Sequence, residues 1–260
     1  MLVSGFPRVP LAHLPTRLEF LPRLSKHLGG PDIWIKRDDC TGLATGGNKA
    51  RKLEFSMGEA LDRGADTIIT VGAVQSNHVR QAAAAACKLG MQCEVLLEHR
   101  VPNPTELYMK SGNVLLDRIF GAKLRFYDKN ADFDAEMHKI AREVESEGGT
   151  PYIIPGGASS PVGDLGYVAC AEELLQQFEE QDVSFDHMVI PSGSAGTHAG
   201  LIVGLRGNGS DLPILGIGVN VPRNEQEDKV FELACDTAEF VGKRGCVTRA
   251  DIVADCNYCL

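Results

Sequence analysis

The feature that most constrains the fold is an alternation of short apolar runs with helical patterns along most of the chain. The run at 67–71 (TIITV) is typical of a buried strand, and the helical pattern at 77–89 after it contains five consecutive alanines. Alanine is the best helix former. Strands that alternate with helices predict parallel sheet with right-handed crossovers. The predicted strands lie at 33–36, 67–71, 94–97, 123–127, 152–154, 187–190 and 214–219.

Local signals predict where several helices begin and end. Gly90 follows the alanine-rich pattern and is a common type of helix stop. Asn103 is predicted to cap a helix whose first residue is Pro104. Further helices are predicted at 132–147, from about 166 to 180, and from the loop after 190 to residue 205.

The chain is predicted to divide into two α/β units. A glycine- and serine-rich loop at 156–160 indicates one border, and a second border is predicted near residue 50. We therefore expect a smaller inserted unit at 51–160 and a larger unit formed by 1–50 plus 161–260. After 219 the sequence predicts one weak strand, at 252–253, so the larger unit is expected to be incomplete at its C-terminus. The predicted fold class is α/β, with two open parallel-sheet domains.

Charge and composition exclude several classes of function. The net charge is −9 and the 260 residues contain no basic run, which argues against a nucleic-acid partner. No apolar stretch approaches the roughly 20 residues of a membrane span, and no secretory signal is recognised. The eight cysteines are interpreted as reduced thiols of a cytoplasmic protein. Cys256 and Cys259 form a C-x-x-C pair without the second pair that zinc needs, so no metal is predicted.

A lysine in a glycine-rich turn is the first candidate functional residue. The stretch 41–52, TGLATGGNKARK, places Lys49 after two glycines and an asparagine. Such a lysine can be a phosphate clamp, a Schiff-base amine or a solvated charge. A P-loop is disfavoured because the lysine is displaced by one position and Ala50 replaces the magnesium-binding hydroxyl residue. No G-x-G-x-x-G motif follows a strand, so a dinucleotide site is not predicted either.

Two strand-to-helix turns are the other candidates. The turn at 192–197, SGSAGT, is predicted to expose backbone N–H groups at a helix start, which favours an anion such as phosphate. In the turn QSNH, Ser76 or Asn77 is either a plain helix cap or part of a carboxylate pocket. His78 and His198 have no carboxylate partner at motif spacing. An amine, an anion cup and a carboxylate pocket together suggest pyridoxal phosphate as the cofactor.

Three long motifs resemble one family of enzymes. IWIKRDDCTGLATGGNKARKLEF (33–55), GADTIITVGAVQSNHVRQAA (64–83) and SGSAGTHAGL (192–201) are similar to the D-cysteine desulfhydrase and 1-aminocyclopropane-1-carboxylate deaminase family. Within the family, these motifs are most similar to those of the L-cysteate sulfo-lyase and D-cysteine desulfhydrase branches. The deaminase branch more often has Gln at the position of His78. The resemblance implies a tryptophan synthase β-like fold (PLP fold type II) and a homodimer.

The resemblance also implies roles for residues of the three motifs. Lys49 matches the Schiff-base lysine, which also removes the Cα proton. Asn77 matches the partner of the pyridoxal phenolic oxygen, Ser76 lies beside the substrate carboxylate and Cα, and His78 is placed near the substrate. The residues that match the phosphate loop are Gly193, Ser194, Ala195, Gly196 and Thr197.

The implied reaction is β-elimination from a small amino acid. D-cysteine would give pyruvate, sulfide and ammonia, and L-cysteate would give pyruvate, sulfite and ammonia. The alternative within the family is deamination of 1-aminocyclopropane-1-carboxylate.

The chain departs from the family at its C-terminus. Family members continue past residue 260 with a tyrosine near the substrate and a turn whose threonine faces the pyridine nitrogen, and Tyr258 does not match that tyrosine. The expectation is a truncated chain that keeps Lys49 and the phosphate loop but is impaired in turnover and stability. A cofactor-binding chain without catalysis is therefore a further alternative.

Overall fold

A computed structural model of the chain describes residues 1–219 and 221–258, which form two parallel sheets and a short antiparallel pair. The first sheet has the strand order β5-β4-β3-β6 and the second has the order β7-β8-β9. The strands are β1 (Leu18–Phe20), β2 (Trp34–Lys36), β3 (Thr67–Ala73), β4 (Gln92–His99), β5 (Lys123–Asp128), β6 (Pro151–Ile154), β7 (Met188–Ser192), β8 (Ile214–Gly218) and β9 (Val253–Asp255). The helices are α1 (Pro22–Leu28), α2 (Lys49–Asp62), α3 (Asn77–Leu89), α4 (Glu106–Lys110), α5 (Gly112–Ile119), α6 (Phe133–Ser146), α7 (Pro161–Gln181), α8 (Gly196–Gly207) and α9 (Arg223–Phe240).

The first sheet carries apolar cores on both faces, as parallel sheets usually do. On one face Ile68 and Val95 pack against the alanines of α3, and α2 and α5 contribute to the same core. On the other face Ile69 and Leu96 pack against α6. Helix α3 ends at Gly90, which takes a left-handed conformation with φ of 73°. The two-sided burial explains why these strands are recognisable as apolar runs.

The second sheet is covered differently on its two faces. One face packs against a core that α7, α8 and α9 share, with Ile214 and Ile252 among its buried residues. The opposite face carries Val189 and Val253, whose side chains are 63% and 40% exposed. The register pairs Val189 with Leu215 and Leu215 with Val253, so these residues form one row across the sheet.

Several elements differ from the sequence expectation, which did not include the helices α1, α2 and α5. The strand predicted at 33–36 belongs to no parallel sheet, because β2 pairs antiparallel with β1, which was not predicted. Helix α9 was not predicted either; it is long but strongly charged, so its apolar stripe is weak.

One predicted helix cap is wrong. The hydroxyl of Thr105, not Asn103, caps α4 by accepting a hydrogen bond from Tyr108 N at 3.1 Å. Asn103 instead takes a positive φ of 48°, which suits a turn.

The loops that follow β3, β6 and β7 meet at the start of α2, where Asn77, Gly157 and Thr197 lie beside Asn48 or Lys49. Helix α2 contributes Leu53 and Met57 to the core of the first sheet and Phe55 to the core of the second. The helix is therefore fixed against both sheets. The predicted division into 1–50 plus 161–260 and 51–160 stays a prediction.

Candidate active site

The turn before α2 presents Lys49 by means of an unusual backbone. Ala44, Thr45, Gly46 and Gly47 all have positive φ, at 45°, 74°, 83° and 129°. At Gly46 a Cβ atom would lie 2.2 Å from the carbonyl oxygen of Asp39, and no side chain fits there. The two glycines are thus required by backbone geometry and by close packing, and Lys49 becomes the first residue of α2.

The environment of Lys49 favours a neutral amine. The side chain is partly buried. Burial, together with the positive charge of Lys52, lowers the pKa of the Lys49 amine to about 7, and Asp164 acts in the opposite direction. An ordinary lysine keeps its proton until about pH 10.4. Lys49 can therefore act as a nucleophile or a proton acceptor near neutral pH.

Helix α8, which follows the loop after β7, begins without a cap from its own N-cap residue, Ala195. Ala195 takes a positive φ of 73° and makes no capping hydrogen bond through its own side chain. Gly196 N instead donates to Ser159 Oγ, from the loop 156–160, at 3.3 Å. Ala195 and Gly196 are buried, so a side chain of ordinary size has no room here. A helix N-terminus lined by small residues attracts anions through its N–H groups and the helix dipole.

Lys49 and this loop line the same space. A Cβ atom placed on Gly157 would be 2.4 Å from Ser194 Oγ and 3.5 Å from Lys49 Cε. Beside them, Asn48 donates from Nδ2 to Thr197 Oγ1 at 3.5 Å. The Lys49 side chain and Ser194 of the anion loop therefore lie beside the same face of Gly157.

A second lysine, which the sequence interpretation missed, lies directly beneath the loop. Lys52 is fully buried, donates to Ser159 Oγ at 3.1 Å and pairs with Asp164 Oδ1 at 3.4 Å. A Cβ atom on Gly196 would be 2.2 Å from Lys52 Nζ. Burial raises the pKa of the Asp164 carboxyl to about 7 and lowers the pKa of the Lys52 ammonium. The available signal was the spacing, since residues three apart on a helix share a face.

Ser159 connects Lys52 to the loop. Its hydroxyl accepts from Lys52 Nζ and from Gly196 N, the latter at 3.3 Å, and donates to Ser194 Oγ at 2.9 Å. The loop 156–160, predicted as a border between units, therefore also supplies a wall of the site.

The turn QSNH lies on the other side of Lys49. Ser76 caps α3, since its Oγ accepts from Val79 N at 3.3 Å, so the plain interpretation of Ser76 as a helix cap is correct. Asn77 donates from Nδ2 to Asn48 Oδ1 at 3.3 Å and thereby sits next to the lysine turn. The roles predicted for Ser76 and Asn77 toward substrate and cofactor stay predictions.

The two histidines of the motifs are buried. His78 Nε2 lies 2.9 Å from Thr70 Oγ1 on β3, and burial together with the charges of Lys49 and Lys52 lowers its pKa to about 3. His198 Nδ1 lies 3.1 Å from Ser192 Oγ, and burial lowers its pKa to about 4. Both rings are neutral at physiological pH. The side chain of His78 faces the sheet, and its predicted contact with substrate stays a prediction.

The remaining sequence predictions concern metals and membranes. Among the residues that the structure describes, no cluster of three or more His, Cys, Asp or Glu side chains could hold a metal ion. Cys259 of the C-x-x-C pair lies outside the described residues. Within the same described ranges, no helix combines the length and the apolar character that a membrane span requires.

Comparison with known proteins identifies the family. The sequence model of the family described as "Pyridoxal-phosphate dependent enzyme" matches residues 9–240. The chain belongs to this family. A D-cysteine desulfhydrase of Salmonella typhi is 50% identical to it over 231 residues, which cover 89% of this chain and 70% of that protein.

Solved structures agree with this assignment. A structure described as an ACC deaminase homologue superposes with a TM-score of 0.87 and 41% identity, over 97% of this chain and 74% of that one. Diaminopropionate ammonia lyase of Escherichia coli has a TM-score of 0.62 at 18% identity, over 85% of this chain and 61% of that one, which bears on the fold alone. The predicted fold class, two open parallel sheets of the tryptophan synthase β-like type, is confirmed.

The site residues fit the cofactor of the family, and pyridoxal phosphate as the predicted cofactor is confirmed. The start of α8, which has no cap from its own N-cap residue, and the buried Lys52 ammonium suit a phosphate dianion. Lys49, whose pKa is near 7, stands within reach of the same space and suits an aldehyde.

Proposed function

We propose that the chain is a carbon–sulfur lyase that eliminates the sulfur group of D-cysteine, with one water consumed and pyruvate, sulfide and ammonia released. The observation that carries the proposal is that Lys49 Cε and Ser194 Oγ of the loop before α8 lie beside the same face of Gly157, with the pKa of the Lys49 amine lowered to about 7. The 50% identity to a protein named D-cysteine desulfhydrase, over 89% of this chain, supports this choice of substrate. L-cysteate, which would release sulfite in place of sulfide, is the second substrate to test.

The proposal gives each end of the cofactor its own residues. The N–H groups of the loop from Gly193 to Thr197 and the Lys52 ammonium would hold the phosphate, and the Lys49 amine would hold the aldehyde end. Asn77, which already lies beside Asn48, binds the phenolic oxygen. When bound, pyridoxal phosphate supplies an electron sink for the electron pair left on the substrate Cα.

Lys49 acts as the base in this proposal. Its Nζ takes the proton from the substrate Cα, which a protonated ammonium could not do. Burial and the charge of Lys52 keep a large share of this amine neutral at pH 7. A general base in this position contributes roughly 10²–10⁴-fold to the rate.

The start of α3 holds the substrate carboxylate. Ser76 Oγ accepts from Val79 N through a lone pair, and its own O–H hydrogen can be donated to a carboxylate oxygen. The helix dipole of α3 favours the same charge. His78, the next residue after this turn, is hydrogen-bonded to Thr70 of β3.

Product analysis tests the proposal. The chain is incubated with pyridoxal phosphate and separately with D-cysteine, L-cysteate and 1-aminocyclopropane-1-carboxylate, and sulfide, sulfite, pyruvate and 2-oxobutanoate are measured. Sulfide and pyruvate from D-cysteine are expected, and both should disappear in Lys49→Ala. Cofactor uptake without any product from the panel would contradict catalysis and favour a cofactor-binding chain.

A deaminase of the same fold is the second candidate. The solved structure described as an ACC deaminase homologue, at 41% identity and a TM-score of 0.87, favours it. Deamination of 1-aminocyclopropane-1-carboxylate would give 2-oxobutanoate and ammonia without a sulfur product. The identity of the keto acid therefore separates the two candidates.

We also propose that the protein is a cytoplasmic homodimer with the larger unit at 1–50 plus 161–260 and the smaller unit at 51–160. The family resemblance supports the dimer. The separate cores of the two parallel sheets support the division. Sedimentation equilibrium measures the mass of the assembly, and a monomer at all concentrations would contradict the dimer.

A further inference from the structure

The turn that presents Lys49 needs an external restraint. Ala44 and Thr45 occupy left-handed backbone conformations, with φ of 45° and 74°, which residues with a Cβ atom adopt only when their surroundings enforce them. The hydroxyl of Thr41 supplies one internal brace, because it donates to Gly47 O at 2.8 Å and accepts from Gly47 N at 2.8 Å. Further restraint comes from the side chains of α3.

Arg80 ties the two sides of the turn together. Its guanidinium Nη1 donates to the carbonyl oxygens of Ala44 and Gly46, the latter at 2.6 Å. The side chain is buried, and its Nε donates to Asn113 Oδ1 at 3.2 Å, which fixes the plane of the guanidinium. One charged group thus binds the carbonyls on either side of Thr45.

Gln81 binds the other side of Lys49. Its Oε1 accepts from Ala50 N at 2.9 Å, and its Nε2 donates to Asn77 O at 2.8 Å. The amide is fully buried against Gly47, where a Cβ atom would lie 2.6 Å from Nε2. The backbone on both sides of Lys49 is therefore bound by α3: Arg80 holds the turn before Lys49, and Gln81 holds Ala50 after it.

We propose that Arg80 and Gln81 are positioning residues that fix the Lys49 amine relative to the Ser76–Asn77 turn at the start of the same helix. The inference rests on the proposed function, since it concerns the lysine that links to the cofactor. Because one rigid helix carries both the restraint and the turn that holds the substrate, the distance between the base and the substrate carboxylate is set within α3. Neither side chain contacts the reacting atoms in this proposal.

The variants Gln81→Met and Arg80→Met test this, with Arg80→Lys as the conservative variant. Methionine keeps the bulk of each side chain and removes the hydrogen bonds, whereas lysine at 80 can still donate to both carbonyl oxygens. The exposed Lys88→Ala, on the same helix, is the matched control. Thermal unfolding identifies any variant that does not fold. If Arg80→Met is unfolded, Gln81→Met, which removes no charge, tests the positioning role by itself.

Two measurements on each variant separate positioning from general damage. The first is the rate at which borohydride traps pyridoxal phosphate on Lys49, determined by peptide mass spectrometry. The second is the affinity for 4′-deoxypyridoxine 5′-phosphate, which has no aldehyde and so reports on the noncovalent contacts of the phosphate and the ring without the link to Lys49. We expect trapping in both methionine variants to slow by about ten- to a hundredfold, with affinity for the analogue unchanged, and to recover partly in Arg80→Lys.

Three results contradict or limit the proposal in different ways. Trapping in the methionine variants at the rate of Lys88→Ala would overturn the positioning role. A parallel loss of trapping and of analogue affinity would also overturn it, because that is the result of a merely structural role. Absence of trapping in the unmodified chain would instead contradict the proposed function.

Discussion

The loops before α3 and α8, which lie on either side of Lys49, differ in how the first N–H groups of each helix are hydrogen-bonded. Helix α3 is capped by its own Ser76, whereas α8 begins after Ala195, which is left-handed and has no capping side chain, and Gly196 N donates to Ser159 of another loop. Both loops follow strands of parallel sheets, so strand direction does not cause the difference. We attribute the difference to the phosphate that the loop before α8 is proposed to bind.

The charges behind the two loops differ in the same sense. Lys52 lies beneath Gly196, within 2.2 Å of the position that a Cβ atom would take. Behind the Ser76 turn lies His78, a neutral ring because its pKa is lowered to about 3. A phosphate dianion therefore fits the α8 loop, and a single carboxylate fits the capped α3 turn. Lys49 stands between the two.

Removal of Lys49 should have the largest effect, because it eliminates the amine that is proposed to hold the cofactor and to take the proton from the substrate Cα. Lys49→Ala is expected to lower turnover by roughly 10²–10⁴-fold or more and to abolish borohydride trapping. Affinity for 4′-deoxypyridoxine 5′-phosphate should persist, since the α8 loop is untouched. Lys88→Ala is the control, and equal trapping in both variants would contradict the role of Lys49.

The second prediction breaks the α8 loop itself. In Gly196→Ala the new Cβ would meet Lys52 Nζ and Asp164 Oδ1, each 2.2 Å away and both buried, so the loop must shift. Overpacking of this kind costs typically 1–3 kcal/mol. Affinity for the deoxy analogue should fall strongly, as measured by fluorescence titration. Gly30→Ala is the matched control, because nothing lies within 4 Å of a Cβ there; unchanged affinity in Gly196→Ala would contradict the phosphate assignment.

The third prediction concerns the capped loop. Ser76→Ala removes the acceptor for Val79 N and should destabilise the fold by about 1 kcal/mol, measured by urea unfolding. Asp132→Ala removes the side-chain cap of α6, on the other face of the first sheet, and should cost a similar amount. Only Ser76→Ala should also raise KM for the amino acid. Equal KM values in the two variants would leave Ser76 as a cap alone.

The smallest expected effect is a shift in the titration of Lys49. Competitive labelling of the cofactor-free chain should give Lys49 a pKa of about 7, with the amine neutral above that pH and protonated below it. Lys52→Met removes a neighbouring positive charge and should raise the pKa of Lys49. Burial, the larger cause, remains, so the pKa should stay below that of an exposed lysine. A Lys49 pKa near 10 in the unmodified chain would contradict the proposed base.

The sequence predicted the parts of the fold that depend on local pattern. Strand β3 and helix α3 follow from an apolar run, five alanines and a terminal glycine. Strand β1 has only three residues, too few to show a period, so its antiparallel pairing with β2 was not predicted. Helix α9 is rich in acidic residues along its length, so hydrophobic periodicity did not identify it.

The site was predicted where its residues are contiguous and missed where they meet only in space. Lys49 and the loop from Gly193 to Thr197 lie in glycine-rich motifs that are visible in the sequence. Lys52 gains its position from packing beneath Gly196, and Ser159 from a loop far from both in the chain. Arg80 and Gln81 act on the backbone of the lysine turn, which no motif reveals.

A crystal structure of the chain loaded with pyridoxal phosphate tests the central claim most directly. The account predicts continuous electron density from Lys49 Nζ to the cofactor and phosphate oxygens within hydrogen-bond distance of the backbone N–H groups from Ala195 to Thr197. A cofactor whose phosphate lies away from the start of α8, or a Lys49 amine that extends into solvent without a link to it, would contradict the account.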